Sequence, residues 1–265
     1  MMLPLARGEF APLAPSDRSA NWAVTGRLGG VSSGGVSSGG VSSGDFASAN
    51  LADHVGDDPR NVQRNRQLMA QLVGLQDIEL AFMTAEHGGR VSFVEYPGEA
   101  GQVDSLVTDL PDIGLVAMGA DCATLGIVGS TVGVAPVIAA VHCGWKGLCA
   151  DVLGNTLAAM ANRGVHNFQV VIGPAICGAC YSVSPERSEE IRDTCDSVIA
   201  DAALSVSGGI DVRRGLSAQL RKLNIPHESV GGCTFESPRE LFSYRRDSRT
   251  GRQGLVMVLR ESRSE

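Results

Sequence analysis

The sequence predicts a mixed α and β fold, and two kinds of segment predict it. Short, almost wholly apolar runs bounded by Gly or Pro recur at residues 113–120, 135–141 and 168–172. Such runs suit strands buried on both faces. After them lie stretches with apolar residues at helical spacing, over residues 148–163, 184–203 and 211–223. The third observation is the length of 265 residues, which allows one large domain or two small ones with a sizeable core.

Composition narrows the function classes. Hydrophobic residues make up 43% and charged residues 19%, ordinary for a globular protein. A formal net charge of −7 argues against a general nucleic-acid surface. It leaves room for an anionic small-molecule substrate, since a local Arg/Lys pocket suffices. No apolar run reaches the ~20 residues of a membrane span. The first residues lack a secretory apolar region. The seven cysteines form an odd set without small-scaffold spacing, and read as reduced thiols in a cytoplasmic protein.

Taken in order, residues 1–19 are rich in Pro and small side chains and are expected to be poorly ordered. Residues 21–25 suit a short strand. From Gly29 to Ser43 the chain repeats Gly-Gly-Val-Ser-Ser three times without error. This period is far too short for a solenoid unit. Gly/Ser composition predicts a flexible loop over 29–44, because one Val per repeat cannot offset the ordering entropy. The tract reads as a surface loop lengthened by tandem duplication, or as a lid.

Asp53 to Arg60 carries turn chemistry before a helix, with Pro59 in its first turn and apolar spacing as far as Gly74. Residues 78–83 suit a strand that ends in Thr84-Ala-Glu-His-Gly-Gly89; residues 91–96 suit another, and 97–102 a turn. Cys177-Gly-Ala-Cys180 has the C-x-x-C spacing of zinc or redox sites. No second such pair exists, which leaves a structural Cys₄ zinc site unsupported. Ser184-Pro185-Glu186 reads as the N-cap and first turn of a helix. Loop and strand alternate over 233–235, 241–246 and 255–259. Arg245-Arg246 is either an anion-holding pair or a solvated charged face.

Reactive side chains at the ends of buried strands stand out. His87 closes the run at 78–83, Cys122 follows 113–120, and His142 closes 135–141. Active sites commonly form where rigid elements hand over to loops, although buried thiols are also common as packing groups. Two imidazoles and a thiolate are good zinc ligands, and a catalytic zinc takes three protein ligands with one position open. The residues alone equally allow a Cys–His pair for nucleophilic catalysis.

Ala120-Asp-Cys122, His142-Cys-Gly-Trp-Lys-Gly147, Ile172-Gly-Pro-Ala175 with Cys180-Tyr181, and Phe242-Ser-Tyr-Arg-Arg246 resemble the motifs of the YfiH-type family. That family is also called the multicopper polyphenol oxidase or laccase-domain family, and is associated with purine nucleoside phosphorolysis. Gly-Gly-Val-Ser, Asn50-Leu51, His54-Val-Gly-Asp-Asp-Pro59 and Asn65-Arg66 match its amino-terminal signature. The resemblance implies an α+β, α/β sandwich-like single catalytic domain over 20–260, with mixed β-sheets flanked by helices. It implies a zinc ion held by His87, Cys122 and His142. Departures are Ala85-Glu86 for Gln-Val, Cys143 for Ala, and Lys146 for Arg. Lysine cannot clamp an anion bidentately as arginine does. One repeat copy belongs to the family pattern, so the other two look inserted.

The implied activity is zinc-dependent phosphorolysis of adenosine, inosine or guanosine to the free base and ribose 1-phosphate. Adenosine deamination and methylthioadenosine phosphorolysis are further implied activities. Arg27, Lys146 and Arg245 are expected to hold phosphate, and Asn50 to hydrogen-bond the substrate. A purine nucleoside and phosphate are the expected partners, without nucleic acid or membrane, and a monomer is favoured. The alternatives are a copper-dependent phenol oxidase, an amidase editing peptidoglycan precursors with Cys122 as nucleophile and His142 as base, and a non-catalytic module with a structural metal.

Overall fold

The computed structural model describes residues 2, 4–10, 18–28, 41, 44–76, 79–206 and 208–261. In chain order, the first part holds β1 (Ala6–Glu9), β2 (Arg18–Val24), α1 (Pro59–Leu72), β3 (Leu80–Thr84), β4 (Val91–Phe93), β5 (Gly98–Gln102) and β6 (Ser105–Thr108). There follow β7 (Gly114–Gly119), β8 (Ala123–Thr131), β9 (Val134–Cys143), α2 (Trp145–Cys149), α3 (Val152–Ala161) and β10 (Asn167–Ile172). The last are α4 (Pro185–Thr194), α5 (Ser197–Ala203), α6 (Val212–Lys222), β11 (His227–Ser229), α7 (Tyr244–Asp247) and β12 (Gln253–Glu261).

Two mixed six-stranded sheets result, ordered β1-β2-β12-β7-β3-β5 and β11-β10-β8-β9-β6-β4. Their central strands are apolar at nearly every position because both faces are covered, and successive side chains point to opposite faces. In β12, Leu255, Met257 and Leu259 join the core between the sheets, while Val256 and Val258 pack under α1. In β9, Ile138 and Ala140 face the inter-sheet core, and Val137, Ala139 and Val141 face the α2–α6 side. The layers are therefore helix, sheet, sheet, helices, the α/β sandwich that the resemblance implied. Each fully buried large apolar side chain contributes about 1.5–3 kcal/mol. Asp58 caps α1 by accepting from Arg60 N, and Ser184 caps α4 by accepting from Arg187 N.

Several expectations need correction. Within residues 1–19, expected to be poorly ordered, β1 forms an edge strand paired antiparallel to β2; Met2 is buried. Residues 11–17 lie outside the described residues. The expected turn at 97–102 contains β5, which pairs parallel with β3. The single helix expected over 148–163 splits at Asp151, whose positive φ of 52° ends one helix while its carboxylate caps α3 at Gly154 N. The helix expected up to residue 203 also breaks, at Cys195, and Asp196 caps α5. Residues 244–247 form α7 instead of a strand. The cysteines are not all free: Cys149, ending α2, is disulfide-bonded to Cys195 at the end of α4.

The Gly/Ser loop at 29–44 lies outside the described residues except for Val41 and Gly44. Its flanks are described, and they meet. The Arg27 carbonyl accepts from Ser48 N and Ala49 N, both at 2.9 Å, and Arg27 Nε donates to Ala47 O at 2.8 Å. The chain therefore leaves and returns at one point of the fold.

Candidate metal centre

One buried carboxylate organises the two histidines. Asp104 is fully buried just before β6. Its Oδ1 accepts from His87 N at 3.0 Å and its Oδ2 from Gly88 N at 2.6 Å. These bonds hold His87 at a φ of 61°, a conformation unusual for a residue with a side chain. Asp104 Oδ1 also lies 2.9 Å from His142 Nδ1, and the Asp104 carbonyl accepts from His142 N at 2.8 Å. A carboxylate at Nδ1 keeps the proton there and frees the Nε2 lone pair for a ligand role.

Cys122 is held by a separate set of bonds. Asp121 before it has a φ of 114°. Its carboxylate accepts from Thr234 Oγ1 and from Arg245 N, both at 2.6 Å, and its carbonyl accepts from Ile176 N at 3.0 Å. Two glycines leave room for the turn. A Cβ on Gly119 would stand 2.6 Å from the Cys122 carbonyl oxygen, and one on Gly144 would stand 3.1 Å from the Cys122 sulfur.

The possible ligand atoms of His87, Cys122 and His142 all lie within 4.8 Å of one another. The two imidazoles meet edge to face, with ring centroids 4.9 Å apart. Burial pushes the Cys122 thiol up, but the His142 charge and hydrogen bonds from both histidines outweigh it and hold the thiol at about 6. Burial likewise opposes charge on His142, yet Cys122 and Asp104 raise it to about 9. Two nitrogens and one sulfur at this spacing fit a tetrahedral metal with one position left over. Exposure rises from His142 through Cys122 to His87, so the cluster opens to solvent on the His87 side.

The other expected residues divide. Arg245 reaches the centre: its N–H holds Asp121, and its guanidinium lies over the Tyr181 ring, 4.7 Å from the centroid. Tyr181 in turn is half-buried, and burial and the Cys122 charge raise its pKa. Lys146, exposed in the first turn of α2, lies over Trp145, as does Arg187 from the other strand–helix junction. Arg27 is turned elsewhere, toward Asp247 at 3.5 Å and the Phe242 ring. Asn50 is fully buried; its amide nitrogen donates to Ala52 O and Asp57 Oδ2, and its oxygen accepts from Ala52 N and Arg252 N. Its hydrogen-bonding capacity is spent within the protein. Arg246 is likewise occupied, donating to the carbonyls of Thr234, Phe235 and Leu241. Glu86 pairs with Arg90.

Sequence reasoning missed Asp104, Arg187 and Arg252. Arg252 is largely buried, and Cys122 and Asp121 act on its charge. None of the three sits in a pattern that spacing could reveal. Tyr181 was visible only as part of a motif. A cavity of about 740 Å³ beside Arg7, Trp22, Gly74 and Arg260 contains none of the metal-centre residues.

A His₂Cys cluster at the strand ends of an α/β sandwich defines a candidate mononuclear metal protein. The chain belongs to the family described as multi-copper polyphenol oxidoreductase laccase, whose model matches residues 21–260. A protein named purine nucleoside phosphorylase from Mycobacterium tuberculosis H37Rv is 36% identical over 253 residues, 94% of each chain. One of the same name from Streptomyces griseus is 33% identical over 246 residues, 90% of this chain and 94% of that one. Among solved structures, a Neisseria meningitidis protein of family DUF152 superposes with a TM-score of 0.76 at 28% identity, covering 96% of this chain and 99% of that one. YlmD from Geobacillus stearothermophilus gives 0.77 at 26% identity, covering 98% and 99%.

Proposed function

We propose that this chain is a zinc-dependent purine nucleoside phosphorylase, with adenosine deamination and methylthioadenosine phosphorolysis as further activities of the same site. The observation that carries the reading is the convergence of His87, Cys122 and His142, within 4.8 Å, in a chain whose relatives bear the phosphorylase name. When bound, zinc supplies Lewis acidity at its open position.

In phosphorolysis a phosphate oxygen forms a bond to ribose C1′ as the C1′–N9 bond breaks. The electron pair leaves with the purine, which takes up a proton. Arg245 and Lys146 would orient the phosphate, and Arg252, whose charge Cys122 and Asp121 favour, adds positive potential. The Arg245 guanidinium lies over the Tyr181 ring, and burial keeps the Tyr181 hydroxyl protonated, so that it would present a donor to an incoming oxygen or ring nitrogen. Asp104 keeps His142 oriented throughout.

The copper oxidase alternative is disfavoured because one thiol and two imidazoles fall short of a multicopper ligand set. A second reading has an observation of its own. Asp104, His142 and Cys122 are linked in the order of a carboxylate–imidazole–thiol triad, with a low thiol pKa. That arrangement suits the amidase. Metal removal separates the two. Chelation is expected to abolish nucleoside turnover and zinc to restore it, with about one zinc per chain at this three-ligand site. A Cys122→Ala/His142→Ala double variant should lose that zinc. Activity on peptidoglycan precursors that survives or grows after chelation would favour the triad, and restoration by copper alone would favour the oxidase.

A further inference from the structure

A second cluster of metal-ligating groups lies outside this centre. Cys177 and Cys180 sit on the loop that follows β10, and Cys233 and Glu236 on the loop that follows β11. Their sulfur and carboxylate oxygen atoms all lie within 4.8 Å of one another. Cys233 is 56 residues from Cys177, so the fold alone brings the groups together. The two loops are already in register: Thr234 N donates to Ala175 O at 3.2 Å, and Ala175 and Cys233 form a parallel bridge.

We propose that Cys177, Cys180, Cys233 and Glu236 form a second metal site, holding one structural zinc ion that ties these two loops together. Three soft thiolates and one carboxylate are a zinc donor set. In a tetrahedral site with Zn–S bonds of about 2.3 Å the sulfurs stand roughly 3.8 Å apart, so closure needs only small side-chain shifts. The Cys233 sulfur accepts from Cys177 N at 3.3 Å. Backbone donors of this kind orient a metal ligand and stabilise its charge.

A disulfide is the competing use of these thiols. The chain does form one, between Cys149 and Cys195, whereas Cys177, Cys180 and Cys233 are free. A disulfide also leaves the third sulfur and the carboxylate unexplained. On metal binding the three thiol protons pass to solvent. Arg213, half-buried against the carbonyls of Gly231 and Gly232 and acted on by Cys233, offsets part of the remaining negative charge.

The ion would also stiffen the active side of the molecule. The stapled loops supply Ile176 and Thr234, which hold Asp121, and Tyr181 follows Cys180 directly.

The test counts metals and reads their ligands. Wild-type protein purified without added metal is expected to hold about two zinc ions per chain, and the Cys122→Ala/His142→Ala variant about one, as two independent sites predict. Cobalt(II) exchanged into that variant should give an intense sulfur-to-metal charge-transfer band. The band should disappear in a further Cys180→Ser/Cys233→Ser variant. A double variant that retains no metal would overturn the proposal, as would cobalt bound without the sulfur band. So would a Cys177–Cys180 disulfide found by mass spectrometry of the freshly purified protein. Because the decisive sample leaves all four proposed ligands intact, a folding failure of the cysteine variants does not obscure the result. Loss of the first zinc alone would count against the proposed function and leave this site standing.

Discussion

Asp104 shows how much a single side chain governs. One carboxylate sets the backbone of His87, the N–H of Gly88 and the tautomer of His142, while sitting fully buried. Outer groups of this kind typically contribute 10–100-fold to metal affinity. Asp104→Asn is therefore expected to weaken zinc binding by about that factor in a chelator competition, with the fold retained. An unchanged affinity would mean that His142 needs no partner. Arg245 belongs to the same scale. Its backbone N–H serves Asp121 whatever the side chain, so Arg245→Ala removes only the guanidinium. Phosphate KM should rise about tenfold or more, the worth of one charged hydrogen bond. Zinc content should not move. A rise confined to the nucleoside KM would assign Arg245 to the other substrate.

At the scale of elements, the strands that read clearly are those whose two faces are both apolar. β7, β9 and β12 are largely apolar runs, and Cys122 and His142 of the candidate metal centre lie at the ends of β7 and β9. β5, sequence Gly-Glu-Ala-Gly-Gln, carries turn composition and is a strand only because β3 pairs with it. The helix breaks at Asp151 and Cys195 were illegible for a different reason. Asp151 turns left-handed and also receives Gln219, while Cys195 is fixed by a sulfur far away in sequence. The partners of Asp104 and the third thiol near Cys177-Cys180 are likewise long-range, so local pattern carried no trace of them. For the Gly/Ser tract, the meeting of Arg27 with Ala47, Ser48 and Ala49 gives a direct expectation. Deleting residues 34–43 should leave metal content intact and change stability by about 1 kcal/mol or less, since loop closure depends weakly on length. Turnover that falls while metal stays would make the tract a lid, and unchanged turnover a passive insertion. Loss of metal or of folding would contradict the looped-out reading.

Across the whole molecule, an overall charge of −7 coexists with arginines close to the candidate centre: Arg245 over the Tyr181 ring, its N–H on Asp121, and Arg252, whose charge Cys122 and Asp121 favour. An acidic protein thus concentrates positive potential where an anionic co-substrate would approach, a focusing effect that raises its local concentration. Among the described residues no helix is long and apolar enough to cross a membrane. The phosphorylase reading stands or falls on whether phosphate is a reactant or a bystander. The most direct measurement follows inosine with the zinc-loaded protein, scoring free base by chromatography and sugar phosphate by phosphorus NMR, with and without phosphate. Equimolar hypoxanthine and ribose 1-phosphate, formed only when phosphate is present, is the predicted result. Base released at the same rate without phosphate, with free ribose as the product, would contradict it.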